Sequence, residues 1–192
     1  MALTNGLEAI KKLLSCVQAD GSQVSHVIVE EKDIKAKLKK LTISELGSNI
    51  LVLATDEGRK RNNSVCMSPL FADDGEYDQN RACDVVFIKM SEQGYHICYV
   101  ELKSDTPSGY EGQFISTKCF MDYVISLSEH LCAQPITISR ERYVVFHTDS
   151  KDAKRRGVKN KTHFRPNDAN SPSSPKKFCV HNGDTVRFTE FF

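Results

Sequence analysis

The sequence has almost no excess charge: 26 lysines and arginines against 25 aspartates and glutamates leave a formal +1. A chain balanced like this can attract a polyanion only through local clusters, not through a global field. Paired cysteines are missing as well. The seven cysteines, at positions 16, 66, 83, 98, 119, 132 and 179, are odd in number and contain no C-x-x-C. That argues against a clustered zinc site and against a disulfide framework, and it points to a reducing compartment. No G-x-x-x-x-G-K-[ST] loop is present, so any nucleotide-driven step would need a separate NTPase or helicase partner. The histidines (26, 96, 130, 147, 163 and 181) show no H-x-x-x-H or H-N-H spacing, which disfavours a histidine-bound metal. No apolar run approaches the length needed to cross a bilayer, and Lys11 and Lys12 interrupt the first apolar stretch. The expectation is a cytoplasmic protein with neither membrane span nor secretory signal.

What remains is ordinary globular material, 40% hydrophobic and 27% charged, enough for a single domain over 1–192 with a real core. After Asn5-Gly6-Leu7-Glu8, the residues Leu7, Ile10, Leu13, Leu14 and Val17 recur at helical spacing and predict a helix ended by Gly21. Residues 24–29 predict a short strand. Residues 32–46 predict a lysine-rich amphipathic helix with Ile34, Leu38 and Leu41 on one side, and 49–54 a buried strand. Residues 57–82 are polar and turn-rich. Residues 84–90 and 95–103 are rich in branched and aromatic side chains, and Ser91-Glu-Gln-Gly94 between them is turn chemistry, so the pair predicts an antiparallel hairpin. A helical period follows over 111–131, then a strand over 142–147. Residues 149–177 read as a basic flexible loop, with Lys151, Lys154, Arg155, Arg156, Lys159, Lys161 and Arg165 ahead of a Ser/Pro/Asn stretch. Residues 178–192 predict a terminal hairpin turning at Asn182-Gly183.

The hairpin carries the chemistry. With the turn centred on Glu92-Gln93, Asp84 lies across from Glu101; with the turn at Gln93-Gly94, it faces Lys103. Side chains alternate faces with period two, so Asp84, Glu101 and Lys103 share one face in either register, while Val85 and Leu102 point to the other. Two carboxylates and an ammonium at a hairpin end suit a divalent cation such as Mg²⁺ or Mn²⁺ and, with it, phosphodiester hydrolysis. A bare Glu-x-Lys triplet is commonplace and by itself marks a solvated strand edge or a cross-strand ion pair.

Asp84 followed by Glu101-Leu102-Lys103 at the end of the next strand resembles the PD-(D/E)XK nuclease superfamily. The resemblance implies a restriction-endonuclease-like α/β fold with a central mixed sheet flanked by helices. The implied core is a helix (32–46), three strands (49–54 and the hairpin), a helix (111–131) and a fourth strand (142–147). It implies Asp84, Glu101 and Leu102 as metal ligands and Lys103 as the catalytic lysine. Gln113 matches a glutamine that many branches place early in the following helix, although a glutamine there could also simply bond a strand end. Cys83 stands where the family name has a proline. Glu30, Glu31 and Glu45 all remain candidates for the helix-borne glutamate of some members. The implied activity is a DNA endonuclease, with an RNase or an inactive nuclease-fold binding subunit as rivals, and a homodimer is a possible assembly. In such a protein Lys154, Arg155, Arg156, Lys159 and Lys161 would bind the nucleic acid, DNA ahead of RNA.

Overall fold

The computed structural model describes residues 3–31, 34–56, 77–105, 107–148 and 170–192. In chain order the elements are α1 (Asn5–Leu13), β1 (Val17–Asp20), β2 (His26–Glu30), β3 (Lys40–Ser44), β4 (Ile50–Leu53), β5 (Val85–Ser91), β6 (Gly94–Lys103), α2 (Glu111–Cys132), β7 (Ile138–His147), β8 (Lys176–Cys179) and β9 (Thr185–Arg187). A 3₁₀ turn over Phe188–Glu190 follows. Six strands form the central sheet in the order β1-β4-β5-β6-β7-β8, and β2-β3-β9 form a second, three-stranded sheet. The pairs from β1 to β6 are antiparallel, whereas β6, β7 and β8 run parallel. The long α2 crossover between β6 and β7 is what a parallel pair requires. The protein is thus α/β with a mixed sheet and two helices.

Period-two alternation sorts the central sheet into two buried faces. Val86, Ile88, Ile97, Tyr99 and Val145 pack against Leu7 and Ile10 of α1 and Phe114, Met121 and Val124 of α2. Val85, Phe87, Cys98, Val100, Leu102 and Phe146 pack against Val27, Val29, Leu41 and Ile43 of the second sheet and against Phe188 and Phe191. Both helices therefore lie on one face, and a sheet covers the other. Because β6 is covered on both sides, it reads as a continuous apolar run. No helix among the described residues is long and apolar enough to cross a membrane.

Three expected elements differ. Where a helix is expected over 32–46, the described residues 34–46 instead carry the second half of a hairpin, with β3 paired to β2 from His26↔Ser44 to Glu30↔Lys40. Leu41 and Ile43 are fully buried while Ile34 is 87% exposed, so the helical stripe does not exist. Burying those two side chains stabilises by roughly 3–6 kcal/mol. A helix-propensity preference of at most about 0.7 kcal/mol per residue does not compete. The first helix stops at Leu13, and Val17 opens β1, whose apolar side pairs with β4. The terminal hairpin does not form: β8 joins β7 and β9 joins β3, in different sheets. The Asn182-Gly183 turn is real, but Asn182 Oδ1 accepts the Lys39 and Lys40 N–H groups at 2.8 and 2.9 Å, tying it to β3.

Candidate metal and catalytic site

Ser91 pairs with Gly94 and Val85 with Val100, so the hairpin turns on Glu92-Gln93. That is the first of the two registers, and it carries Asp84, one residue before β5, across from Glu101 on the α2-facing side of the sheet. Because β5 pairing begins at Val85, the Leu102 N–H has the Asp84 side chain as its partner, with Asp84 Oδ2 accepting it at 2.6 Å. In return the Asp84 N–H donates to Glu101 Oε2 at 3.2 Å. The two acidic residues thus close the end of the ladder with side chains instead of backbone.

Lys103, two residues along the same face, places Nζ 2.6 Å from Glu101 Oε1. It also donates to Gln113 Oε1 at 2.8 Å. Gln113 sits in the first turn of α2 and anchors its own amide by donating from Nε2 to the Ala82 carbonyl at 3.2 Å. Thr117, one turn further, accepts the Cys83 N–H at 2.8 Å and donates to the Gln113 carbonyl at 2.8 Å. Thr55, after β4, donates to the Cys83 carbonyl. The backbone of residues 82–84 is therefore clamped from α2 and from β4. Sequence reading placed Asp84, Glu101, Lys103 and Gln113 together, and the geometry joins all four. Lys118 pairs with Asp122 and Glu141, and Tyr123 is 62% exposed, so these two lie outside the site.

The site's electrostatics come from burial. Asp84 and Glu101 are 7% and 2% exposed. Desolvation pushes the Glu101 carboxyl up to about 7, against the opposing pull of the Lys103 ammonium. Desolvation, with the Glu101 charge next, holds the Asp84 carboxyl well above the usual carboxylate range. The Asp56 charge pushes both carboxyls in the same direction, and Glu31 adds to the effect on Asp84. Burial likewise pushes the Cys83 thiol up, so it packs as a neutral group.

The two buried carboxylates face each other with one nearby ammonium between them and Gln113. This charge imbalance is what a hard dication offsets, and the oxygen donors suit one. No three His, Cys, Asp or Glu side chains gather as ligands among the described residues. The groups here that could hold a cation are Asp84, Glu101 and the carbonyl of Leu102.

No family model, curated protein or solved structure matches the chain.

One neighbour escaped sequence reading, and a second was only one of three candidates. Asp56 follows β4, whose end meets the start of β5 in their antiparallel pairing. The signal was the acidic residue closing the 49–54 apolar run. Of the three candidate glutamates, Glu31 is the one whose charge reaches Asp84, and it follows a strand, not a helix. Glu30 pairs in register with Lys40, and Glu45 holds Arg187 at 3.3 Å. Lys154, Arg155, Arg156, Lys159 and Lys161 lie outside the described residues.

Proposed function

We propose that the chain is a Mg²⁺- or Mn²⁺-dependent phosphodiesterase of the PD-(D/E)XK type, acting as an endonuclease on DNA in a reducing, cytoplasmic compartment. The observation that carries the reading is the chain Asp84–Glu101–Lys103–Gln113. It holds two buried carboxylates on one side and an ammonium fixed at 2.6 and 2.8 Å on the other. A structural ion pair needs one carboxylate, and the second, buried beside the first, is a destabilising excess unless a cation joins it. The topology supports the same reading: three antiparallel strands β4-β5-β6, the α2 crossover and the parallel β7 follow the order that the resemblance implies. The opening helix in this reading is α1, not residues 32–46. Six described cysteines form no disulfide, which fits the reducing compartment.

Asp84, Glu101 and the Leu102 carbonyl would hold the cation. When bound, it supplies charge neutralisation at the phosphate and a more acidic water. Lys103 places a positive charge beside that position, where it stabilises the negative charge that develops on the phosphoryl oxygens. Gln113 keeps the ammonium there, because its amide oxygen is oriented by the bond from Nε2 to Ala82. Thr117 and Thr55 fix the segment that presents Asp84.

The test is incubation of plasmid DNA and of RNA with wild type, Asp84→Asn and Glu101→Gln in Mg²⁺ or in EDTA. Cleavage of DNA only by the wild type and only with Mg²⁺ is expected. Full activity in either variant removes the active-site assignment. Cleavage confined to RNA replaces the substrate, and no cleavage of either by the wild type removes the nuclease reading.

A further inference from the structure

The carboxylate site by itself repels a polyanion. Asp84 and Glu101 are buried side by side, Asp56 bears on both and Glu31 on Asp84, with Lys103 as the cation against Glu101. A phosphate backbone must therefore be drawn in by cations beside the site. The connection between β2 and β3 supplies them. Residues 34–40 read Ile-Lys-Ala-Lys-Leu-Lys-Lys, four lysines in seven residues with no acid. Ala36 is half-buried and Leu38 buried, whereas Lys35, Lys37 and Lys39 are exposed, so the alternation turns these three lysines outward.

This segment is docked next to the catalytic lysine. Ser104 Oγ, one residue past Lys103, accepts the Lys37 N–H at 2.7 Å and the Leu38 N–H at 3.4 Å. Lys37 Nζ sits 2.6 Å from Asp105 Oδ2. Between segment and strand end opens a cavity of about 240 Å³, lined by Glu31, Lys35 and Leu38 on one side and Leu102, Lys103 and Ser104 on the other. One cavity thus lies between an exposed lysine of the connection and Lys103.

We infer that the β2–β3 connection is the substrate-holding arm: Lys35, Lys37 and Lys39 guide the phosphate backbone of a nucleic-acid strand across this cavity to Lys103. The inference deepens the nuclease reading of the same site. Charge complementarity chooses the occupant, since a row of exposed lysines suits the phosphates of a polyanion, which the carboxylates alone would turn away. Each phosphate neutralised releases counterions and steepens the salt dependence of binding.

The measurement is fluorescence anisotropy with the Glu101→Gln protein in Mg²⁺. The probes are fluorescein-labelled single-stranded DNA, its duplex and RNA of the same sequence, each across a salt series. Lys35→Ala/Lys37→Ala/Lys39→Ala in that background should weaken binding about tenfold at moderate salt and flatten the log–log slope by about two to three. Lys35→Gln/Lys39→Gln leaves the Lys37–Asp105 pair in place and should flatten the slope by about two. It reads the same effect should the triple variant fail to fold. An affinity and slope unchanged from the Glu101→Gln parent, no binding of any probe by that parent, or equally tight binding of polyglutamate overturns the arm. Cleavage by the wild type is scored separately. Its absence alongside an altered slope removes the nuclease reading and keeps the arm; cleavage with an unaltered slope does the reverse.

Discussion

Replacing Glu101 by glutamine should change how stability depends on pH. In the fold this carboxyl is pushed up to about 7, whereas an ordinary glutamate ionises at 4.5. A raised folded value means that the protein holds its proton more tightly than the unfolded chain does. The stability that this supplies is fully present below about 4.5 and is lost as pH rises through about 7. The difference corresponds to about 3 kcal/mol at 1.36 kcal/mol per pH unit. The residue is 2% exposed, so solvent screening removes little of it. Glutamine cannot ionise, so the variant lacks this pH-dependent contribution, and it also relieves the Asp84 carboxyl of the Glu101 charge that pushes it up, which acts in the same direction. Urea unfolding in EDTA from acid to mildly alkaline pH should therefore show wild type losing about 3 kcal/mol relative to Glu101→Gln between pH ~4.5 and ~7.5. For a chain of this size that corresponds to roughly 6–12 °C in melting temperature. Added Mg²⁺ should recover the loss in wild type and not in the variant, because a ligand that binds only the folded state stabilises it. Parallel stability curves for the two proteins would refute the buried, uncompensated charge from which the site is argued.

Lys103→Ala should lower turnover about a hundredfold or more, since its positive charge acts on the transition state. Its Mg²⁺ affinity by calorimetric titration should hold or rise, because a like charge has left the site; a folded variant that no longer binds metal contradicts the assigned role. Thr117→Val strands the buried Cys83 N–H and should cost about 1–3 kcal/mol in urea unfolding. It should also weaken Mg²⁺ binding through Asp84, with Thr117→Ser restoring both, whereas a stability loss with unchanged metal affinity would confine Thr117 to packing.

The site was legible because its chemistry lies within one hairpin. A two-residue turn and period-two alternation bring Asp84, Glu101 and Lys103 to one face whichever register holds, and Gln113 follows within the next helix. Contributions from distant elements were not legible. Asp56 and Glu31 arrive from the ends of β4 and β2, and nothing in their own neighbourhood says which strand lies beside them. Residues 32–46 misled for a related reason. Leu38 and Leu41 are three apart, as a helix requires, but Leu41 and Ile43 are two apart, as a strand requires. The choice was made by Val27, Val29 and Phe87, against which they pack. At the C-terminal end, local turn chemistry placed Asn182-Gly183 correctly, yet β9 pairs with a strand more than a hundred residues earlier instead of with β8.

That last pairing bears on the order of folding. The β5–β6 ladder closes over a two-residue turn, whereas Thr42↔Thr185 must close most of the chain into a loop. Closure of so long a loop is entropically expensive and slow, so local ladders lead and distant ones follow. Asp84 and Glu101 should then meet early, in a species whose lysine-bearing connection is still loose. In pulsed hydrogen exchange during refolding, amides of residues 86–90 and 96–101 should gain protection before that of Thr42, which donates to the Asp184 carbonyl. Simultaneous protection of the two groups would mean that the second sheet assembles with the first.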